Sequence, residues 1–145
     1  MGHLTYTEIR FWGEKTLATP DGRKSGEYFA QGLTPSRLKR IPSVNSLINS
    51  MARLDGSTLA ANSVINVILP CNTPSDRCEA FLRATAMTAV GSLQLNCVSR
   101  EQLLDAQKNP EKYPDLIVRV TGFSAKFTSL SKEWQDEVIS RNFYS

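Results

Sequence analysis

Three short apolar runs constrain this chain more than any other feature: residues 64–69, 93–98 and 116–120. The first, Val64-Ile65-Asn66-Val67-Ile68-Leu69, stops at Pro70. Such runs are too short for buried helices and carry apolar residues on both faces, as strands covered on both sides do. Between them lie stretches with helical signals. The predicted order is helix, strand, helix, strand, helix, strand, glycine turn, helix. That alternation predicts an α/β fold with right-handed crossovers and parallel strands. Three strands cannot close a barrel, and their edges would stand unpaired. The expectation is therefore a partial parallel-strand barrel segment with flanking helices and a C-terminal glycine loop. It completes the sheet or barrel of a larger partner.

The helices are legible from spacing and caps. Over 43–54, Val44, Leu47, Ile48, Met51 and Leu54 share one face, with Ser43 as the cap and Asp55-Gly56 as the stop. Over 74–90, Pro74 opens, Asp76 and Glu79 sit near the positive end, and Gly91 closes. Ser99-Arg100-Glu101-Gln102 reads as a capping box for a helix to about 108, ended by Asn109-Pro110. Ser131 caps a last helix whose Trp134, Val138 and Ile139 share a face. Residues 1–42 read differently. They hold five of the eight glycines, and Pro20-Asp21-Gly22-Arg23 is a turn signal. Tyr6, Phe11, Trp12, Tyr28 and Phe29 follow no period, and 5–12 reads as a strand or an irregular piece. This gives an irregular N-terminal arm over 1–42, packing on a partner, and a second domain over 43–145.

Composition excludes several functions. With 145 residues, 41% hydrophobic and 21% charged, the chain has the balance of a globular domain with a real core. A net charge of +3 implies no strong attraction to nucleic acid or membrane. Neither a secretory signal nor a membrane-spanning run is present, so a cytoplasmic location is expected. Cys71, Cys78 and Cys97 form no Cys-x-x-Cys, and His3 is the only histidine. A zinc site built within the chain is not expected, and a histidine-assisted Ser or Cys nucleophile is excluded. Ser36-Arg37-Leu38-Lys39-Arg40 is a small basic cluster, read as solvated surface. A small nucleic-acid-binding module is the alternative of a different class, and it would show salt-sensitive binding.

The third strand climbs to a single glycine, in Arg119-Val120-Thr121-Gly122-Phe123-Ser124-Ala125. Upstream stand Thr19-Pro20-Asp21-Gly22-Arg23-Lys24-Ser25-Gly26 and Asn96-Cys97-Val98-Ser99-Arg100-Glu101. Leu104-Asp105-Ala106-Gln107 and Pro110-Glu111-Lys112-Tyr113-Pro114-Asp115-Leu116 follow, and Asp136-Glu137-Val138-Ile139-Ser140-Arg141 lies near the end. In that order these motifs resemble the C-terminal portion of glycyl radical enzymes, from about Ile9 onward. That family includes pyruvate formate-lyase, glycerol and propanediol dehydratases, choline lyase and arylacetate decarboxylases. Gly-Phe-Ser-Ala at 122–125 resembles the dehydratase, lyase and decarboxylase branch more than the formate-lyase branch.

The resemblance implies a stored carbon radical on Gly122, with Arg119, Val120, Thr121, Phe123, Ser124 and Ala125 as its supporting loop. A glycine α-carbon radical lies between an electron-releasing nitrogen and an electron-withdrawing carbonyl, and with no side chain it can flatten freely. Val118, Val120, Phe123 and Phe127 are the expected apolar shell. Arg119 either holds the loop by hydrogen bonds or is an edge-facing strand arginine. The resemblance further implies a radical S-adenosylmethionine activating enzyme, which owns both the S-adenosylmethionine and an iron–sulfur cluster. The glycyl radical itself is the only cofactor of this chain. The family's reactive cysteine sits in a Gly-Cys-Val-Glu-like motif, and none of the three cysteines here matches it. The expectation is a radical-storing subunit, oxygen-sensitive and suited to anaerobic metabolism, that passes its radical to a cysteine on a large partner subunit. The alternative is a spare part that replaces the oxygen-damaged domain of a full-length enzyme. Activation needs Gly122 presented and catalysis needs it buried, so the 114–130 segment, or the whole chain, is expected to swing out.

Overall fold

A computed structural model describes residues 8–36, 43–55, 63–120, 122–141 and 143–144. Its centre is a pair of parallel strands, β1 (Val64–Leu69) and β2 (Ser92–Cys97), in register from Val64 opposite Ser92 to Leu69 opposite Cys97. Helix α3 (Ser75–Ala86) makes the crossover between them. β1 is buried at every residue, and its two faces serve two cores. Ile65, Val67 and Leu69 point to one side, against Phe81 of α3 and against Leu47 and Met51 of α2 (Val44–Met51). Ile68 points to the other side, where Leu103 and Ala106 of α4 (Arg100–Lys108) meet Val138 of α5 (Lys132–Ile139). The two-residue period of a strand separates the faces, which is why the run had to be apolar throughout.

Two of the three predicted serine caps act, while Ser131 stands at the start of α5 without a side-chain cap bond. Ser43 Oγ accepts the Ser46 N–H at 3.2 Å, and Ser99 Oγ accepts the Gln102 N–H at 3.1 Å. Helix α2 ends earlier than expected, at Met51 with Ala52 as its cap, and Leu54 is left exposed beyond it. Helix α3 likewise ends at Ala86, before Gly91. Gly56, the expected stop of α2, lies outside the described residues.

Three departures alter the architecture. First, the run at 116–120 does not join the parallel sheet. Its β3 (Ile117–Arg119) pairs antiparallel with β4 (Ser124–Lys126) as a hairpin, Arg119 opposite Ser124. A two-residue turn closes this pairing locally, so it needs no crossover. Second, a bridge from Ile68 to Phe143 and a bond from the Tyr144 N–H to the Ile68 carbonyl (3.0 Å) place the C-terminal residues on the free edge of β1. Third, a helix stands where a strand or irregular piece was expected: α1 (Glu8–Lys15).

The N-terminal turn is built around one arginine. Gly22 has φ of +101°, and its N–H closes a turn on the Thr19 carbonyl at 3.0 Å. This delivers Arg23, only 5% exposed, beneath the end of α1. Its guanidinium donates to the carbonyls of Gly13, Thr16, Leu17, Lys24 and Glu27 and lies over the Phe29 ring. A cation there satisfies carbonyls that the helix end leaves open. The segment then joins the sheet at Gly32, where φ is +55° and an added Cβ would meet the Val64 carbonyl oxygen at 2.5 Å. The Leu33 N–H reaches that same carbonyl at 2.9 Å, a close approach that needs glycine beside it.

Candidate functional site: a clamped glycine hairpin

Gly122 occupies the turn of the β3–β4 hairpin with φ of +98°, backbone that residues with a side chain rarely adopt. The Val120 N–H bonds the Phe123 carbonyl at 2.9 Å across the turn. Beneath the tip, Val118, Val120 and Phe127 are fully buried in the core that α4 and α5 share. Phe123 was expected to complete that shell, but it is 48% exposed, and Gly122 itself is exposed. Among the described residues the apolar shielding therefore lies on the inner side only. Ser124 is exposed and Ala125 half-buried against the core. Thr121 lies outside the described residues, as do Arg37, Leu38, Lys39 and Arg40 of the basic cluster.

The Arg119 side chain is an edge-facing one. Its Nη1 comes no closer than 3.4 Å to Ser124 Oγ, a marginal and exposed contact. Its backbone is what holds. The Arg119 N–H donates to Asn96 Oδ1 at 2.6 Å, and its carbonyl accepts from Asn96 Nδ2 at 3.1 Å. One buried amide thus substitutes for a neighbouring strand, tying β3 to β2. Two residues earlier on the same face of β2, Gln94 Oε1 accepts the Gly122 N–H at 3.1 Å.

A buried ion pair formed in and just after α5 also grips the hairpin. Arg141 donates to Glu137 Oε2 at 2.7 Å, to the Arg119 carbonyl at 3.0 Å and to the Val120 carbonyl at 2.6 Å. Both side chains are almost wholly removed from solvent. The network continues from Glu137 to Gln31 (3.3 Å), from Gln31 to Asn66 (2.9 Å), and from the Asn66 N–H to Thr34 Oγ1 (3.0 Å). The N-terminal segment, the sheet, α5 and the glycine hairpin thus share one run of polar contacts. Burying these groups is tolerable because most of their polar atoms bond one another, with Asn66 Oδ1 left unpartnered.

Sequence reasoning did not single out Gln31, Asn66, Gln94, Asn96, Glu137 or Arg141 for this role. A signal was present for three of them. Asn66, Gln94 and Asn96 are carboxamides inside otherwise apolar strands, and a buried amide needs a defined partner. A second cluster lies at the C-terminal end of the sheet, where the Cys71 thiol donates to the Cys97 carbonyl at 2.7 Å. The Cys97 thiol is pushed up by burial and then by its neighbours Cys71 and Cys78, which favours the protonated form. No group of three metal-binding side chains is found among the described residues, and none of their helices is long and apolar enough to cross a membrane.

Comparison with known proteins agrees with this geometry. The "Glycine radical" family model matches residues 29–128, which include the hairpin. The chain is 34% identical to Formate acetyltransferase 1 of Escherichia coli (strain K12) over 97% of its length, and 37% identical to the Probable dehydratase YbiW of the same organism over 90%. It covers 20% and 17% of those proteins, so it spans about a fifth of the relatives it matches. Among solved structures, it superimposes on the glycerol-bound B12-independent glycerol dehydratase from Clostridium butyricum with a TM-score of 0.81 at 35% identity. That match covers 94% of this chain and 18% of the dehydratase. A glycyl radical enzyme from Archaeoglobus fulgidus gives 0.73 at 35% identity, again over 94% of this chain and 18% of that one. With one family model covering most of its length and its fold repeated in these enzymes, the chain belongs to the glycine radical family.

Proposed function

We propose that this chain stores an organic radical on the α-carbon of Gly122 and acts as the radical-storing subunit of a glycyl radical enzyme. The complete enzyme would cleave C–C, C–O, C–N or C–S bonds as a lyase, dehydratase or decarboxylase. The observation that carries the reading is the placement of Gly122: a positive-φ glycine, at the exposed tip of a hairpin, inside the residues matched to the family. An activating enzyme carrying S-adenosylmethionine and an iron–sulfur cluster removes one hydrogen atom from the Gly122 α-carbon. A cysteine thiol on a large partner subunit then returns a hydrogen atom to that carbon, leaving the unpaired electron on sulfur. Arg119, Val120, Thr121, Phe123, Ser124 and Ala125 form the loop that presents the glycine. The exposed tip suits the activating enzyme, and the large partner supplies the outer shielding that Phe123 does not. Residues 1–42 also meet that partner, with Phe11, Trp12 and Leu17 exposed for the contact.

The test is anaerobic activation in the presence of both partners, followed by electron paramagnetic resonance. A glycine-centred doublet, lost in Gly122→Ala, is the expected result; no signal with both partners present refutes the reading. Oxygen exposure of the activated chain should cut it at Gly122 and release a C-terminal fragment beginning near Phe123. The match to a formate acetyltransferase along 97% of the chain favours a second reading, a spare part for a damaged full-length enzyme. A permanent subunit co-purifies with its large partner in fixed ratio. A spare part instead restores activity to an oxygen-cleaved enzyme when added to it.

A further inference from the structure

We infer that Gln94 is the positioning residue of the radical glycine, its side-chain carbonyl fixing and polarising the amide nitrogen beside the radical carbon. The inference rests on the reading of Gly122 given above. Gln94 lies in the middle of β2 and is only 7% exposed. Its neighbours in the strand, Leu93 and Leu95, pack into the core on the other face. An apolar residue would serve plain packing at least as well, because a buried amide costs free energy unless it is bonded. The bond that Gln94 Oε1 accepts is the Gly122 N–H, 28 positions away in the chain, at 3.1 Å. Asn96 shares that face and takes both backbone groups of Arg119, so β2 grips the hairpin once at its stem and once at its glycine.

The chemistry gives the second grip a distinct effect. A glycine radical is stabilised when the nitrogen lone pair overlaps the half-filled orbital on the flattened α-carbon. An acceptor on the N–H raises electron density on that nitrogen and restrains the plane of the amide. The carbonyl side of the radical needs no such help, since it withdraws density. The stem grip of Asn96 fixes where the hairpin sits. The Gln94 bond acts on the electronic environment of the glycine itself.

Gln94→Met keeps the length of the side chain and removes the strong acceptor, and Gln94→Glu keeps an acceptor oxygen. Each is activated anaerobically as the full chain with its large partner and activating enzyme. Wild type should give the glycine-centred doublet. Gln94→Met should shorten the anaerobic lifetime of the radical by about three- to tenfold, the weight of one hydrogen bond, and should change the amide-proton splitting. Gln94→Glu should restore most of the lifetime. A measurement on wild type needs no variant: chain labelled with carbon-13 at the glutamine side-chain carbonyl should show a weak carbon coupling by electron–nuclear double resonance. A doublet in wild type with no carbon coupling overturns the role of Gln94 and leaves Gly122 standing. A Gln94→Met radical identical to wild type in splitting and lifetime does the same. Absence of the doublet in wild type overturns both.

Discussion

The backbone of Arg119, not its guanidinium, ties the glycine hairpin to the sheet, and this distinction has a measurable size. In Asn96→Leu the side chain keeps nearly its volume and loses two hydrogen bonds, at 2.6 and 3.1 Å. Each contributes about 0.5–1.5 kcal/mol net. The Arg119 carbonyl keeps its bond from Arg141, but the Arg119 N–H loses the acceptor it has in Asn96. An unsatisfied, partly buried donor adds about 1–3 kcal/mol. The sum is about 2–6 kcal/mol, a large share of the ~5–15 kcal/mol that holds a domain folded. With a urea slope of about 2 kcal/mol/M, the unfolding midpoint should fall by about 1–3 M with the slope unchanged. Arg119→Ala leaves both backbone bonds in place and removes only an exposed contact, so its midpoint should stay within about 0.3 M of wild type. Hydrogen exchange at Val120 and Phe127 should quicken in the first variant and not in the second. An Asn96→Leu midpoint as close to wild type as that of Arg119→Ala would refute the reasoning, as would a large loss in Arg119→Ala.

Two further predictions concern charge. Glu137→Leu leaves Arg141 buried without its carboxylate and should cost about 3 kcal/mol, whereas the paired change Glu137→Leu with Arg141→Met should cost less than the two single changes summed; additive costs in a double-mutant cycle would count against the ion pair as a unit. The Asp105 carboxyl is held below its usual range, first by the Tyr113 hydroxyl and then by Asn109, and the Tyr113 hydroxyl is raised chiefly by the same carboxylate. The Asp105 contribution is present above the ordinary carboxylate pKa of about 4 and fades as pH falls through the lower folded value. The Tyr113 contribution is present below about pH 10 and fades as pH rises through the higher folded value. Tyr113→Phe should therefore destabilise the chain between those limits and lose its effect beyond each of them; a gap in urea midpoint that persists unchanged at pH 2 would contradict the assignment.

Much of the scaffold could be read along the chain because its causes are local. Ser43 and Ser99 cap helices through N–H groups three residues away, and Pro20 to Arg23 make their turn within five. The period of Val44, Leu47, Ile48 and Met51 marked a buried face correctly, and it could not say that Leu54 would fall beyond the helix end. The sequence of β1, apolar on both faces, correctly implied cover on both sides. It could not name the covers, because periodicity reports which faces are buried and not what buries them.

The amino-acid sequence by itself determined the family, the order of helices and strands from α2 to β3, and the glycine at the turn. Each of these is written in residue types at short spacing. Only the tertiary structure decided that the third strand folds back as a hairpin, that Phe143 reaches the edge of β1, and that Gln94, Asn96 and Arg141 hold the glycine turn. The hairpin pairs residues 5 to 9 positions apart, whereas the other contacts join residues 21 to 75 positions apart. At such separations a carboxamide or guanidinium finds its partner only after the chain has packed, and nothing in its immediate neighbours says which backbone group it will meet.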